Sequence, residues 1–391
     1  MTKMHSKKVF HGYARASGRA GVRNYVLVLS ATGLTGPCAR RIGQQVAGTL
    51  VVCNPVDTGP LGADREATER ALRGFISHPN VAAVVIIGAN EPRVAALAEF
   101  AHASQRVCVA ITLDECGHDA LTLTSHGVRA AARLVRDASR QRRSEQAVSD
   151  LFVGLECGRS DPSSGLVANP IMGLIADRLV DAGASAAIGE TTEWLGAEHL
   201  LSARGATDLV REQIRAAALA REQMALDAGL DLLGNNPGPT NIAAGLSTIE
   251  EKSLGNIAKS GSRPIQSVLG YAQAPAMAGL HVMDAPAYAP ESLTGFCAAG
   301  AQLQLFSTGV GNSFVSLLAP TIKLSANPQT AKRLGEQLDF DAKAALVEDS
   351  SLAEVADELW QVMLNVASGT LTWGEILGEG EEVIARFGAA L

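Results

Sequence analysis

The sequence predicts an α/β fold: a doubly wound, mostly parallel sheet domain, followed by a second α/β domain with a helical C-terminal region. Three observations carry this. Short apolar runs such as Val26–Ser30, Val81–Ile87 and Leu303–Ser307 alternate with stretches whose apolar residues recur at helical spacing. Val81–Ile87 holds almost no polar residue, the pattern of a strand covered on both faces. Strand ends repeatedly deliver a Gly turn with a polar group, as at Asp114–Asp119 and Thr308–Ser313. A length of 391 residues suits two domains, divided here as 1–148 and 149–391.

In the first domain, the polar, Gly-rich segment Lys8–Tyr25 precedes the strand Val26–Ser30. A helix over Pro37–Val46, a strand over Leu50–Cys53 and the turn Asp57–Gly62 follow. Asp64–Phe75 reads as a helix capped by Asp64, and Pro92 opens another after the strand Val81–Ile87. Val107–Leu113 is a strand, and a long helix runs from about Leu121 to Gln146.

The second domain opens on a strand–helix–strand unit: an apolar run from Asp150 to Glu156, helical spacing over Val167–Val180, and a second run from Ala186 to Glu190. Parallel crossovers are right-handed and sequential strands often neighbour one another. Glu156 and Glu190 therefore fall on one carboxyl edge, where open α/β sheets bind ligands. Asp208–Leu230 is a long amphipathic helix, and Gly234–Asn241 is a loop because of its prolines and glycines. Leu246–Lys259 reads as a helix exposing Glu250, Glu251 and Lys252. Strands at Leu280–Met283 and Leu303–Ser307 flank a helix near Glu291–Gly300, and Ile322–Lys323 is extended. From Gln329 onward the chain reads as helical, with turns near Gly369 and Gly378.

Composition narrows the function. A net charge of −7 argues against nucleic acid, which needs a basic footprint. No apolar run approaches the roughly 20 residues of a membrane span. The basic segment Met1–Val9 lacks the apolar stretch of a secretory signal. The six cysteines are dispersed without a C-x-x-C pair, which predicts reduced thiols and a cytoplasmic protein. The Gly turns of the first domain form no G-x-G-x-x-G, so no dinucleotide fold is read.

The chemistry-bearing residues gather around the central unit. Glu156 ends an apolar strand, so it is either desolvated or paired, and perturbed carboxylates mark functional sites. Ser160 and Asp161 read equally well as caps of the next helix. Glu190, Glu193, Glu198 and His199 follow the next strand, a carboxylate–imidazole set of the kind that holds Mn, Fe or Zn, although without diagnostic spacing. Asn235, Asn236 and Asn241 offer amides to a polyol, or bond their own loop. Lys252 and Lys323 offer charge to a carboxylate, and Thr308–Asn312 offers backbone N–H groups to an anion.

Several motifs together resemble the altronate dehydratase and galactarate dehydratase family, including the large subunit of sulfolactate sulfo-lyase. They are Gly21-Val-Arg-Asn-Tyr25, Gly154-Leu-Glu-Cys-Gly158 with Ser160-Asp161 and Ala168-Asn-Pro170, and Glu190-Thr-Thr-Glu193 with Gly196-Ala-Glu-His-Leu-Leu201. Asn236-Pro-Gly-Pro239 with Glu251-Lys-Ser-Leu-Gly255, Met283-Asp-Ala-Pro286 and Thr308-Gly-Val-Gly311 with Ile322-Lys323 complete the set. The resemblance runs from about Gly12 to the C-terminus. It implies a lyase that eliminates a β-substituent from an α-hydroxy carboxylate with divalent iron or manganese. Dehydration of a sugar acid is the first expectation, release of sulfite from sulfolactate the second, and a non-catalytic sugar-acid binder the third.

Elimination requires that the carbanion-like charge beside the carboxylate be stabilised by a metal, and that a positioned base take the α-proton. Glu156, Glu190, Glu193 and Glu198 are the candidate ligands or acid–base groups, with His199 as ligand or base and Cys157 as a softer ligand. Arg159, Lys252 and Lys323 are assigned to the substrate carboxylate, and Asn169, Asn235 and Asn236 to its hydroxyls. Relatives carry a small N-terminal β-domain, expected here as a separate small subunit. They also carry cysteines in first-domain turns, whereas the turns Gly33–Pro37, Asp57–Gly62 and Gly88–Pro92 have none. A homo-oligomer is expected, with the Ala-rich C-terminal helices read as core.

Overall fold

Two parallel sheets form the frame, in a computed structural model that describes residues 9–57, 59–233 and 236–386. The first part of the chain supplies β1 (Val9–Gly12), β2 (Tyr25–Ser30), β3 (Thr49–Cys53), β4 (Val81–Gly88), β5 (Val107–Thr112) and β6 (Ser144–Ala147). Of these, β2 to β5 make a four-stranded parallel sheet in the order β3-β2-β4-β5. The remainder supplies β7 (Phe152–Cys157), β8 (Ser185–Ile188), β9 (Ile265–Leu269), β10 (Gly279–Met283), β11 (Leu303–Ser307), β12 (Val315–Ser316), β13 (Thr321–Ser325), β14 (Phe340–Asp341) and β15 (Gly380–Glu381). Seven of them form an all-parallel sheet ordered β14-β13-β11-β7-β8-β10-β9, while β12 pairs with β15.

Every residue of β4 is buried, as its unbroken apolar run requires. Alternate residues point to opposite faces. Val26, Val28, Val85 and Ile87 pack with Ile42 and Leu123 from helices Gly36–Gln45 and Ala120–Ala138. Leu27, Leu29, Val84 and Ile86 pack with Leu72 and Phe75 of helix Gly62–Ser77, and with Val94 and Leu97 of helix Glu91–Ala103. That second core continues into Phe296 and Cys297 of helix Ala289–Ala298, which also packs on β7, so the two sheets share one apolar layer. Helices Asn169–Asp181 and Leu352–Ala367 cover the other face of the larger sheet.

Several expectations need correction. The long helix ends at Ala138, and Ser144–Ala147 instead pairs antiparallel with Val9–Gly12. This partner lies more than a hundred residues away, so no local pattern marks it. Asp64 is not a cap: the helix begins at Gly62 and Asp64 lies in its first turn, buried. The helix read over Leu246–Lys259 stops at Ile257 and tightens into a short turn over Ala258–Ser260. Ile265–Leu269 forms a strand that the sequence pattern does not mark, and the segment after Gln329 contains two short strands among its helices. Met1–Lys8, Thr58, Gly234, Asn235 and residues 387–391 lie outside the described residues.

The Gly21–Tyr25 motif is structural. The Arg23 Nε and Nη2 atoms donate to Glu375 at 2.7 and 2.9 Å, and its remaining donors reach the carbonyls of Val22, Val366 and Thr370. The Tyr25 hydroxyl donates to the same carboxylate. The clamp ties the N-terminal segment to the C-terminal helices. Removing one partner of a buried pair leaves an uncompensated charge. Arg23→Met is expected to lower stability by about 3–5 kcal/mol in urea unfolding, and Arg23→Met with Glu375→Leu to recover part of the loss. Equal losses in the single and double variants would contradict the clamp.

Two buried histidines make stability depend on pH. The Asn80 N–H donates to His78 Nδ1 and His78 Nε2 meets the Ala301 carbonyl, so no site is left for a second proton. Burial lowers His78 to about 3 and His281 to about 4. Above pH 6.5 both rings are neutral in the folded and unfolded states. Below it the unfolded chain takes up protons that the folded chain refuses, so stability falls as the pH drops from 6.5 towards 4. Each ring is expected to cost on the order of 2 kcal/mol by pH 5. Urea midpoints at pH 7 and pH 5, with His78→Asn as the flatter comparison, check this.

Candidate functional site

The carboxyl ends of β7 and β8 lie side by side in parallel register, and they place Glu156 and Glu190 on one edge. Glu156 is the penultimate residue of β7, and neither it nor the following Cys157 reaches solvent. The chain leaves β8 through Gly189, where a Cβ would stand 2.1 Å from Ser292 Oγ and 3.1 Å from Glu156 Oε2, so only glycine lets this turn close over the carboxylate. Glu190 then adopts a left-handed conformation (φ 53°), and a helical turn over Thr191–Trp194 brings Glu193 back towards Glu156.

The third wall comes from helix Ile249–Ile257 and the turn after it. Lys252, Asn256 and Lys259 recur at the spacing of one helical face. Lys259 Nζ lies 2.5 Å from Glu156 Oε1, 2.6 Å from Asn256 Oδ1, 3.4 Å from Cys157 Sγ and 3.7 Å from Glu193 Oε2. Lys252 Nζ pairs with Glu193 Oε1 at 2.6 Å and donates to Asn236 Oδ1. The Asn256 amide donates to Glu193 Oε2, and the Cys157 thiol donates to Asn256 Oδ1 at 2.5 Å. The Ser292 hydroxyl closes the far side of Glu156 at 2.6 Å. Asn169 is held by Ser307 (2.6 Å) and donates to Cys157 Sγ (3.6 Å) and the Gly255 carbonyl.

Burial and neighbouring charge divide the carboxylates. Burial pushes Glu190 well above its usual range, and the charges of Glu193 and Glu156 push it further, which favours its protonated form hydrogen-bonded to Glu193. Burial also opposes ionisation of Glu193, but Lys252 and Lys259 overcome this and hold it below the usual range. Burial raises Glu156, with Lys259 opposing, and burial raises the Cys157 thiol. Burial opposes the charge on Lys259, but its neighbours Cys157, Glu156 and Glu193 together outweigh burial and raise it above its usual range.

A cavity of about 630 Å³ opens over the cluster, and its lining includes Arg159, Glu190, Glu193, Asn236, Lys252 and Glu379. A second cavity of about 340 Å³ meets the cluster from another side, along Cys157, Asn169, Lys252 and Asn256. Lys252 lines both. Glu156, Cys157 and Glu193 present donor atoms within 4.8 Å of one another, all buried, and can hold a metal ion. The nest already surrounds one positive charge, which suits a cation.

The structure brings together Glu156, Cys157, Glu190, Glu193, Asn169, Asn236 and Lys252, with Arg159 at the cavity rim. It does not bring in His199, which is exposed with no hydrogen bond or ion pair among the described residues, nor Glu198, whose Oε2 is buried without a partner. Both sit on the short helix Glu198–Ala203, beyond the Gly196 turn. Lys323 lies buried under the cavity wall, paired at 2.7 Å with Glu379. Asn235 lies outside the described residues. Lys252 is a correction: Glu250 and Glu251 are exposed, but its side chain turns inward and is only 11% exposed. Asp161 is occupied in holding Ser163, Ser164 and Asn327. Sequence reasoning passed over Asn256, Lys259, Ser292 and Ser307. The signal for the first two was their shared helical face with Lys252.

Residues 148–390 match the family model of the C-terminal region of D-galactarate/altronate dehydratase, and residues 12–139 match the second domain of D-galactarate dehydratase/altronate hydrolase. The chain belongs to this family. It is 36% identical to the (2R)-sulfolactate sulfo-lyase subunit beta of Chromohalobacter salexigens, with 97% of each chain covered. It is 30% identical to the altronate dehydratase of Bacillus subtilis, over 98% of this chain and 79% of that one. It is 34% identical to the galactarate dehydratase (L-threo-forming) of Escherichia coli, over 61% of this chain and 46% of that one. Family membership and the buried donor cluster together identify a lyase. No helix among the described residues is long and apolar enough to cross a membrane.

Proposed function

We propose that the chain is the large subunit of a lyase that removes sulfite from a 2-hydroxy-3-sulfo acid of the sulfolactate type. The observation that carries this is the 36% identity to a sulfolactate sulfo-lyase subunit across 97% of both chains, combined with a polar cavity placed over a buried acid–base cluster. In the reaction a base removes the proton at C2. The electron pair forms the C2=C3 bond, the C3–S bond breaks with its electrons as sulfite leaves, and the enol tautomerises to the 2-oxo acid.

Glu193, kept ionised, is the proton acceptor, and Glu190, kept protonated, is the donor that returns a proton to the enol carbon. Lys252 and Arg159 hold the substrate carboxylate and sulfonate, and Asn236 its hydroxyl. Lys323 acts from below the cavity wall by positioning Glu379. Glu156, Cys157 and the Oε2 atom of Glu193 would hold a divalent iron or manganese, leaving Glu193 Oε1 to take the proton, and the ion's Lewis acidity would stabilise charge developing on the substrate carboxylate. A small β-rich second subunit and self-association complete the proposed assembly. The six unpaired cysteines suit a reducing cytoplasm.

A second reading, dehydration of a sugar acid, is favoured by Glu190 itself. Hydroxide leaves only when protonated, and a buried neutral carboxylic acid facing the cavity is placed to supply that proton. Assays of the metal-supplemented protein, with its small partner subunit, against sulfolactate and against altronate and galactarate separate the two. Sulfite release is expected from the first, and turnover of the sugar acids alone would replace the first reading by the second. Glu190→Gln and Glu193→Gln are each expected to lower kcat at least about 100-fold, in the range of general acid–base contributions. Full turnover by either would remove that residue from the mechanism.

A further inference from the structure

Lys259 takes no part in the steps above, yet it is as fully enclosed as Glu156, and neither reaches solvent. Its four Nζ partners include all three residues that can hold a metal: Glu156 Oε1 at 2.5 Å, Cys157 Sγ at 3.4 Å and Glu193 Oε2 at 3.7 Å. A divalent ion bound by these donors would lie about 2.0–2.3 Å from each of them. With Nζ itself 2.5–3.7 Å from the same three atoms, ammonium and ion would compete for one small buried pocket, both positively charged.

The backbone that carries Lys259 cannot move aside to relieve this. The Ala258–Ser260 turn lies directly on helix Asn169–Asp181, where a Cβ on Gly173 would stand 2.3 Å from the Ala258 carbonyl oxygen. The side chain alone can withdraw, and the 340 Å³ cavity that borders Cys157 and Asn256 adjoins the place it would leave.

We propose that Lys259 is an exchangeable occupant of the metal nest: ammonium and divalent ion hold the same three donors in turn, and Lys259 thereby sets the metal affinity of the protein. This deepens the lyase proposal, from which the need for a metal comes, but its readout is binding rather than turnover. With Lys259 in place the three donors keep their arrangement without a metal. When the ion enters, the Cys157 sulfur exchanges its proton for the ion, and Lys259 leaves Glu156 and Glu193 to it. Metal entry and departure of the ammonium are one event.

The test is Mn²⁺ titration of the full chain by calorimetry, parent against Lys259→Met, with Co²⁺ absorbance reporting whether the Cys157 thiolate is bound. The variant is expected to bind Mn²⁺ at least tenfold more tightly, with a sulfur-to-cobalt band that appears at lower Co²⁺ concentration than in the parent. Equal or weaker binding by the variant would overturn the proposal, because Lys259 would then be supporting the site rather than competing for it. Should Lys259→Met fail to fold, amine acetylation of the parent, read by peptide mass spectrometry, decides the matter. Lys259 is expected to be protected in metal-free protein and labelled after Mn²⁺ loading. Protection unchanged by Mn²⁺ overturns the proposal. If the protein proves inactive on every hydroxy acid while these shifts appear, the lyase reading fails and the exchange stands.

Discussion

The interior of this protein must neutralise charges that are largely withdrawn from water. Glu156, Glu190, Glu193 and Lys259 are buried, and Lys252 nearly so. An isolated charge in such a place is strongly disfavoured, so the arrangement persists only when each charge faces an opposite one with its remaining donors satisfied. The cluster achieves this by setting the ammonium groups of Lys252 and Lys259 against three carboxyl groups, of which Glu193 is held below its usual range while burial raises Glu156 and Glu190. Asn256, Ser292 and Asn236 supply the hydrogen bonds that charge pairing leaves over. The parallel neighbours β7 and β8, the left-handed Glu190 and the Gly189 turn are the geometric conditions under which that neutralisation can be met.

The balance also divides the chemistry. Carboxyl groups of similar intrinsic acidity end up with different proton occupancies because their surroundings differ: Glu193 lies between two lysines, while Glu190 faces Glu193 across a shared hydrogen bond. An ionised carboxylate beside a neutral one, both opening on one polar cavity, is the combination a β-elimination needs.

Much of this is legible in the amino-acid sequence. The strand–helix–strand unit announces itself through two apolar runs that each end in a carboxylate, and the preference of successive parallel strands to lie together places Glu156 beside Glu190. The covered faces of β4 follow from its lack of polar residues. What was not legible depends on distant partners or on side-chain direction. Val9–Gly12 and Ser144–Ala147 look like loop and helix until they find each other. His199 follows the second strand and has the right residue type for a ligand, yet it sits exposed on a short helix past a glycine turn. Lys252 looked like a solvated charge beside Glu250 and Glu251, but on that helix it is Leu254 that is half exposed and the lysine that turns inward. Periodicity places a residue on a face. It does not say whether that face meets water or a carboxylate that needs it.

The order of the chain and the order of its packing differ at the N-terminus. Phe10, Ala20 and Val22 come before the first sheet in sequence, yet they belong to the apolar core of the second, beside Val153, Leu155 and Met363. A polypeptide emerging from the ribosome would therefore hold these side chains away from that core until more than a hundred residues later, and a proteolytic cut in the exposed stretch near Arg140–Arg142 would leave each fragment lacking part of the other's interior. Sheets that look separable on paper are stitched together by a thread that runs backwards, so recombining the two halves from different relatives would require exchanging the first two dozen residues along with the second half.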